Sequence, residues 1–335
     1  MSSAASQAVE VLTPSSSSPA AQLATVQLEA ADAARVAEAR THSRSERTRA
    51  EYRRAWGAFA RWAVERGYHP LPAAPGTVAA YLAARAEDGR SVSTLSVDLA
   101  AISEAHKVLG HQSPRLSPEF SEAWKGIKRS VGQSRGARPN QKAPVTASDV
   151  AAMVRATCPD TLGGLRDRAL LAVGFAGAFR RSELAALEVA DVEAVPGRGL
   201  RVHVRRSKTD QLGEGQVKTL PYGSGEACPV RALEAWLAAA GLEAGPVFRP
   251  INRHGQLGPR AITGHSVAAV VKAAAARVGL EPARVSGHSL RAGYVTSQLE
   301  AGVGSLTIRR QTGHRSDRIL AAYDRRRDVW TPCGL

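Results

Sequence analysis

The sequence predicts a mainly α protein: an N-terminal four-helix domain and a C-terminal mixed α/β domain in which a small antiparallel sheet is set among helices. Three observations predict it. Apolar residues recur at helical spacing in four separate stretches between residues 41 and 132. A basic, polar stretch with two prolines, Gln133 to Pro144, then interrupts the pattern. Beyond it, the segment Gly199 to Tyr222 alternates in the manner of a β-hairpin among runs that are otherwise helical.

A chain of 335 residues, 44% of them hydrophobic, is long enough to bury two cores. Its net charge of +15 asks for a polyanionic partner. Residues 1–40 hold Glu10, Glu29, Asp32 and Glu38 against Arg35 and Arg40, so the basic excess belongs to the rest of the chain. That first segment lacks a stable apolar pattern and is expected to be a disordered tail. It has neither the basic start nor the apolar block of a secretory signal, and no run approaches the length of a membrane span. A cytoplasmic protein is therefore expected. Cys158, Cys228 and Cys333 are odd in number and far apart, which fits reduced thiols. No CxxC or HExxH spacing occurs, and a zinc site would need a distant cysteine to join His288 and His314, so neither metal nor cofactor is expected.

Within residues 41–132, Tyr52, Trp56, Phe59 and Ala63 line the inner face of a first helix whose other face carries Arg47, Arg49, Arg53, Arg54 and Arg61. Val78, Tyr81 and Leu82 mark a second helix. Leu95, Leu99, Ile102, His106 and Leu109 mark a third, and Phe120, Trp124, Ile127 and Val131 a fourth. Arg90, Lys107, Lys125, Lys128 and Arg129 add positive charge across several of these helices. Such a surface suits phosphate contacts, because neutralising phosphates releases their counterions. Residues 133–145 are expected to form an extended basic linker.

The second domain, residues 146–335, opens with a helix at Thr146-Ala-Ser-Asp, followed by a buried helix over Leu165 to Phe175 and two more over Cys228 to Ala240 and Thr263 to Val278. In the hairpin, Val202 and Val204 lie on the outgoing strand and Val217 and Leu220 on the return. Lys208 falls at the start of the turn, with Arg205, Arg206 and Lys218 close by.

The end of the chain concentrates unusual residues. His288 and Arg291 stand three apart, so a helix can point both at one object. A Gly313-His314 pair follows, then Tyr323 nine residues after His314. Upstream, Gly177 to Asp191 reads GAFRRSELAALEVAD and places Arg180 and Glu183 in an R-x-S-E-L segment. Together these residues resemble the tyrosine recombinase (phage integrase) family, in which such an arginine, an HxxR box and a Gly-His pair precede a nucleophilic tyrosine in this order. The PxxxxTVxxYL pattern at 72–82 and WKGIKR at 124–129 are similar to the helical core-binding domain of Cre-type members.

The resemblance implies a core-binding domain followed by a catalytic domain, acting on duplex DNA at a specific recombination site. It implies Arg180 and Arg291 on the scissile phosphate, Tyr323 as nucleophile, His288 as base, Lys208 as general acid to the leaving oxygen, His314 bonded to the phosphate and Glu183 orienting the cations. Tyrosine recombinases work through a 3′-phosphotyrosyl ester that keeps the energy of the broken bond, so neither ATP nor metal is implied. DNA contacts are expected from Arg47, Arg54, Arg90, Ser93, Thr94, Lys125, Lys128, Arg129 and Arg205. The family assembles as a homotetramer on two sites by exchanging C-terminal segments, for which 12 residues follow Tyr323 here. A type IB topoisomerase carries a similar constellation, and a non-enzymatic DNA-binding protein would keep the charge and dispense with the tyrosine. The separate helical domain and the Gly-His placement favour the recombinase.

Overall fold

The computed structural model describes residues 44–134, 142–205, 215–314, 316–321 and 323, together with Asp32 and Arg35. The remainder of the tail predicted to be disordered lies outside the described residues, as does Lys208. The chain divides into two compact units, Met1–Pro139 and Asn140–Leu335.

The first unit holds α1 (Glu46–Glu65), α2 (Pro75–Glu87), α3 (Val92–Val108) and α4 (Pro118–Ser134). Ser45 and Ser91 accept from the backbone N–H groups of Thr48 and Thr94, satisfying orphan donors at the starts of α1 and α3. Pro75 opens α2, where a missing N–H costs nothing. The expected stripes meet in one core around Phe59, Val78, Tyr81, Leu82, Leu95, Ile102 and Phe120. Each large side chain buried there contributes on the order of 2 kcal/mol. His106 is fully buried yet satisfied: one ring nitrogen faces the Ile102 carbonyl at 2.8 Å and the other accepts from Ala73 N–H at 2.9 Å. Leu109 departs from its expected core role. It is the cap residue after α3 and is 60% exposed.

The linker expected over 133–145 is shorter at both ends. Helix α4 continues to Ser134. At the other end, Ala143 N–H bonds to Arg284 O at 2.7 Å and Val145, fully buried, to Ser289 O at 3.1 Å, so these residues belong to the second unit.

The second unit contains α5 (Ala147–Arg155), α6 (Leu162–Ala176), α7 (Arg181–Ala185), β1 (Val192–Val195), β2 (Gly199–Val204), β3 (Gln216–Pro221), α8 (Pro229–Ala240), α9 (Gly264–Arg277), α10 (Ser289–Glu300), α11 (Ser305–Thr312) and α12 (Asp317–Ala321). Helix α6 is the central element, with Ala169 to Val173 buried in an unbroken run. Trp236 of α8 is fully buried, its indole N–H bonded to Val247 O at 2.8 Å. No helix among the described residues is long and apolar enough to cross a membrane.

The sheet is antiparallel in the order β1-β2-β3, so the expected hairpin is joined by a strand the periodicity did not show. Register pairs Leu200 with Leu220, Val202 with Lys218 and Val204 with Gln216. Strand residues alternate faces, so Val217 and Leu220, three apart, cannot share one. Leu220 and Lys218 point inward, and Val217 is left 48% exposed.

Val145 crosses α10 at Gly293, where a Cβ would meet the Val145 carbonyl oxygen at 1.6 Å. Backbone has no rotamer with which to yield. Gly293→Ala is therefore expected to destabilise the second unit by about 3 kcal/mol, read as a lower urea midpoint for that unit with the first unit unchanged.

Candidate active site

Six of the seven sequence-derived catalytic candidates converge in the second unit, and the seventh, Lys208, lies outside the described residues. Arg180 stands at the end of a tight turn that closes α6. In it Ala178 takes φ 45, a left-handed conformation costly for a residue with a Cβ. A Cβ at Gly177 would lie 2.1 Å from the Phe179 ring, so only glycine lets the ring fold back. The turn does two things. It aims the Ala178 carbonyl at Arg291 Nη1, 2.8 Å away, and it delivers Arg180 to the start of α7. There the Glu183 carboxylate accepts from the Arg180 backbone N–H at 3.0 Å and forms an ion pair with the Arg180 guanidinium.

His288 and Arg291 sit on the first turn of α10, as their spacing requires. Arg291 is fully buried, and its Nε and Nη2 have no hydrogen-bond partner among the described residues. Burial, with Arg180 beside it, lowers its affinity for the proton to a pKa of about 10. A cation at a helix N-terminus also opposes the helix dipole. Each of these costs falls away when an anion arrives.

His314 follows the C-terminus of α11, where Gly313 takes φ 70. Its Nδ1 lies 3.0 Å from the Thr312 hydroxyl, which itself donates to Ile308 O at 2.7 Å. With that proton committed, Thr312 accepts from Nδ1–H and leaves Nε2 of His314 as the free lone pair. Desolvation, then Arg291 and Arg180, push its pKa down to about 3, so the ring is neutral.

Tyr323 packs beside Val295, Ile308 and Leu320. Its hydroxyl lies 2.9 Å from His288 Nε2, and its ring stacks on His314 with centroids 5.8 Å apart. Burial raises the tyrosine pKa, and Arg291 and Arg180 work against that rise. His288 is lowered from 6.5 by desolvation and by Arg291, Arg180 and Arg181, although part of the residue stays open to solvent. A neutral His288 with its proton on Nδ1 accepts the tyrosine O–H through Nε2.

Lys218, which the sequence offers only as a neighbour of Lys208, is fully buried at the same place. Its Nζ lies 2.6 Å from Gln311 O and 5.1 Å from the centre of the Phe179 ring. Desolvation chiefly, with Arg291 and Arg180, brings its pKa down to about 7, opposed by Glu183. Gln311 and Thr312 are further site residues that the motifs pass over. The available signal is position alone: both immediately precede Gly313-His314.

The DNA-contact candidates are not all alike. In the first unit, Arg54, Arg90, Ser93 and Thr94 line one groove of about 470 Å³, with Arg61, Arg85, Glu51 and Asp98. Arg47, Lys125, Lys128 and Arg129 are exposed on α1 and α4 outside that groove. In the second unit, Arg205 is engaged by Asp191 and Glu188 at 2.5 and 3.1 Å, so two carboxylates offset its charge. No group of three or more His, Cys, Asp or Glu side chains among the described residues is arranged to hold a metal ion.

Known proteins resemble this chain over most of its length. The phage integrase family model matches residues 144–328. An integrase/recombinase xerD homolog of Selenomonas ruminantium is 36% identical over 282 residues, covering 84% of this chain and 82% of that protein. The recombinase cre of Escherichia phage P1 is 25% identical over 293 residues, covering 83% and 82%. In fold, the Tn1549 transposon integrase solved with transposon right end DNA is similar with a TM-score of 0.58, at 14% identity, covering 85% of this chain and 91% of that one. The family match spans more than half the sequence and takes in Arg180, His288, Arg291, His314 and Tyr323: the chain belongs to the phage integrase family and is a site-specific tyrosine recombinase.

Proposed function

We propose that the protein cleaves and rejoins duplex DNA at a specific site through a 3′-phosphotyrosyl intermediate, with no ATP or metal taking part. The observation that carries this reading is the 2.9 Å approach of the Tyr323 hydroxyl to His288 Nε2, beside the unpartnered donors of buried Arg291. A tyrosine near its ordinary pKa of 10 is a poor nucleophile at neutral pH, so a neighbour must take its proton. His288 is neutral and in reach. As the tyrosine oxygen attacks phosphorus, negative charge grows on the non-bridging oxygens, where Arg291 and Arg180 offer planar donors that stay charged. His314 reaches the phosphate through Nε2 once the Thr312 hydroxyl turns to donate to Nδ1 and the ring proton moves to Nε2. The 5′ oxygen leaves with a proton from Lys208. Reversal of the same steps on a new 5′ hydroxyl reseals the strand.

Binding is assigned to the groove around Arg54, Arg90, Ser93 and Thr94, with Arg47, Lys125, Lys128 and Arg129 on neighbouring phosphates. The relatives named above as integrases and recombinases, and the neighbour solved with DNA, support duplex DNA as the substrate. The reading extends to four copies acting on two DNA sites, in the cytoplasm at the nucleoid.

The test uses nicked duplexes from the DNA flanking the gene, which trap the covalent intermediate. The wild-type protein is expected to give a 3′-linked adduct confined to one sequence. Tyr323→Phe is expected to bind that DNA within about threefold and give none. Binding without any adduct from the wild type would leave a DNA-binding protein, and an adduct at many sequences a topoisomerase.

A pH profile of cleavage checks the base. Because His288 is held below 6.5, the rate is expected to be flat above that value and to fall on the acid side as the ring protonates. A decline beginning above pH 7 would exclude it. For binding, Arg90→Ala is expected to weaken affinity and to reduce the slope of log K against log salt by about 1 if Arg90 neutralises one phosphate.

A further inference from the structure

We infer that Lys218 and Gln311 are positioning residues that fasten strand β3, and with it the β2–β3 hairpin, to the turn presenting His314. The inference rests on the strand-cleavage reading above.

The contacts run in both directions between β3 and the end of α11. The last carbonyls of a helix have no partner within it. Here two β3 side chains supply donors to them: Gln216 Nε2 reaches Arg310 O at 2.8 Å and Gln311 O at 3.3 Å, and Lys218 Nζ reaches Gln311 O at 2.6 Å. Gln216 and Lys218 are two apart and so share a strand face. In return the Gln311 amide addresses β3: Nε2 donates to Thr219 O at 2.8 Å and Oε1 accepts from Thr219 N–H at 3.3 Å. The same Nε2 lies 2.9 Å from Ala176 O, at the end of α6 before the turn that carries Arg180. Gly313 closes the arrangement, since a Cβ there would meet Gln216 Oε1 at 2.5 Å. One glutamine therefore joins three segments, each leading to a candidate catalytic residue: Arg180, His314 and, through the hairpin, Lys208.

Lys218 is a costly way to make such a joint. It occupies a core position of the sheet opposite Val202, and an ammonium has three donors, for which the described residues offer one carbonyl and the Phe179 ring face. The charged groups acting on it are Glu183, Arg180 and Arg291, with His314 nearby. A methionine would fill the space without that burden. If Lys218 served only to fill the core, methionine would serve better.

Lys218→Met and Gln311→Leu, each near the original volume, test this. Three quantities are followed for each: unfolding midpoint against pH, DNA affinity, and single-turnover cleavage of the nicked duplex at saturating protein. A fourth, the imidazole nitrogen resonances of His314, needs no DNA and is assigned by loss of the signal in His314→Gln. Because the folded lysine titrates near 7 and the unfolded one near 10.5, the unfolded wild type binds the extra proton between those values and its stability rises across them. Lys218→Met removes that rise, and its midpoint is expected to equal or exceed wild type, most clearly below pH 7. Both variants are expected to bind DNA within about threefold, to cleave at least about tenfold more slowly, and to shift the His314 resonances. The inference is overturned if cleavage stays within about twofold of wild type and the His314 signals are unmoved. It is equally overturned if the loss of cleavage only tracks lost folding or lost binding. A wild type that forms no adduct defeats the cleavage reading, and the His314 signals then decide the coupling on their own.

Discussion

The second unit is organised around like charges held together out of water. Arg180, Arg291 and Lys218 act on one another at the N-terminal end of α10, and Glu183 is the carboxylate that acts on both Lys218 and Arg291. Coulomb repulsion between such groups is strongest where solvent cannot screen it. Three local devices hold them there. The strained Ala178 turn gives Arg291 a carbonyl, Glu183 ties Arg180 to the start of α7, and the end of α11 gives Lys218 its acceptor. Stability given up at a site of this kind is the usual mark of function. Under the strand cleavage proposed above, a phosphodiester supplies the missing negative charge, which makes substrate binding and relief of the repulsion one event.

Tyr323 enters this arrangement through packing. Its ring lies in a small apolar cluster of Val295, Ile308 and Leu320, separate from the main core of the unit. The hydroxyl is placed by a few apolar contacts, by the stacked His314 ring and by His288. Local openings of low free energy concentrate where buried apolar contacts are few. In the reaction proposed above, that suits a nucleophile which must move with the phosphorus it attacks.

Much of this is legible in the sequence. The four stripes of the first unit, the hairpin and the HxxR spacing are periodic signals, and periodicity survives without knowledge of tertiary contacts. What escaped is of another kind. Leu109 continues the α3 stripe in sequence but falls just past the last helical turn. Strand β1 is four residues long with two exposed, too short to alternate visibly. Lys218 is the instructive case. Val217 and Leu220 mark the return strand, yet their odd spacing puts them on opposite faces, and the residue that shares a face with Leu220 is the lysine. A charged residue on the apolar side of a strand looks like an error of register until the groups around it are known. Gln311 belongs to no periodic pattern and is marked only by its place before Gly313-His314, because its partners lie 92 and 135 residues away.

The position of β3 at the edge of its sheet has a consequence for the protein in solution. An outer strand leaves every second N–H and C=O unpaired, an invitation to the strand of another molecule. In β3 the Thr219 pair is taken by one side-chain amide, which mimics a neighbouring strand for the length of a single residue. A passing chain that sought to extend the sheet would first have to displace that glutamine. The Gln311 amide thus covers one residue of that edge as well as joining β3 to the end of α11.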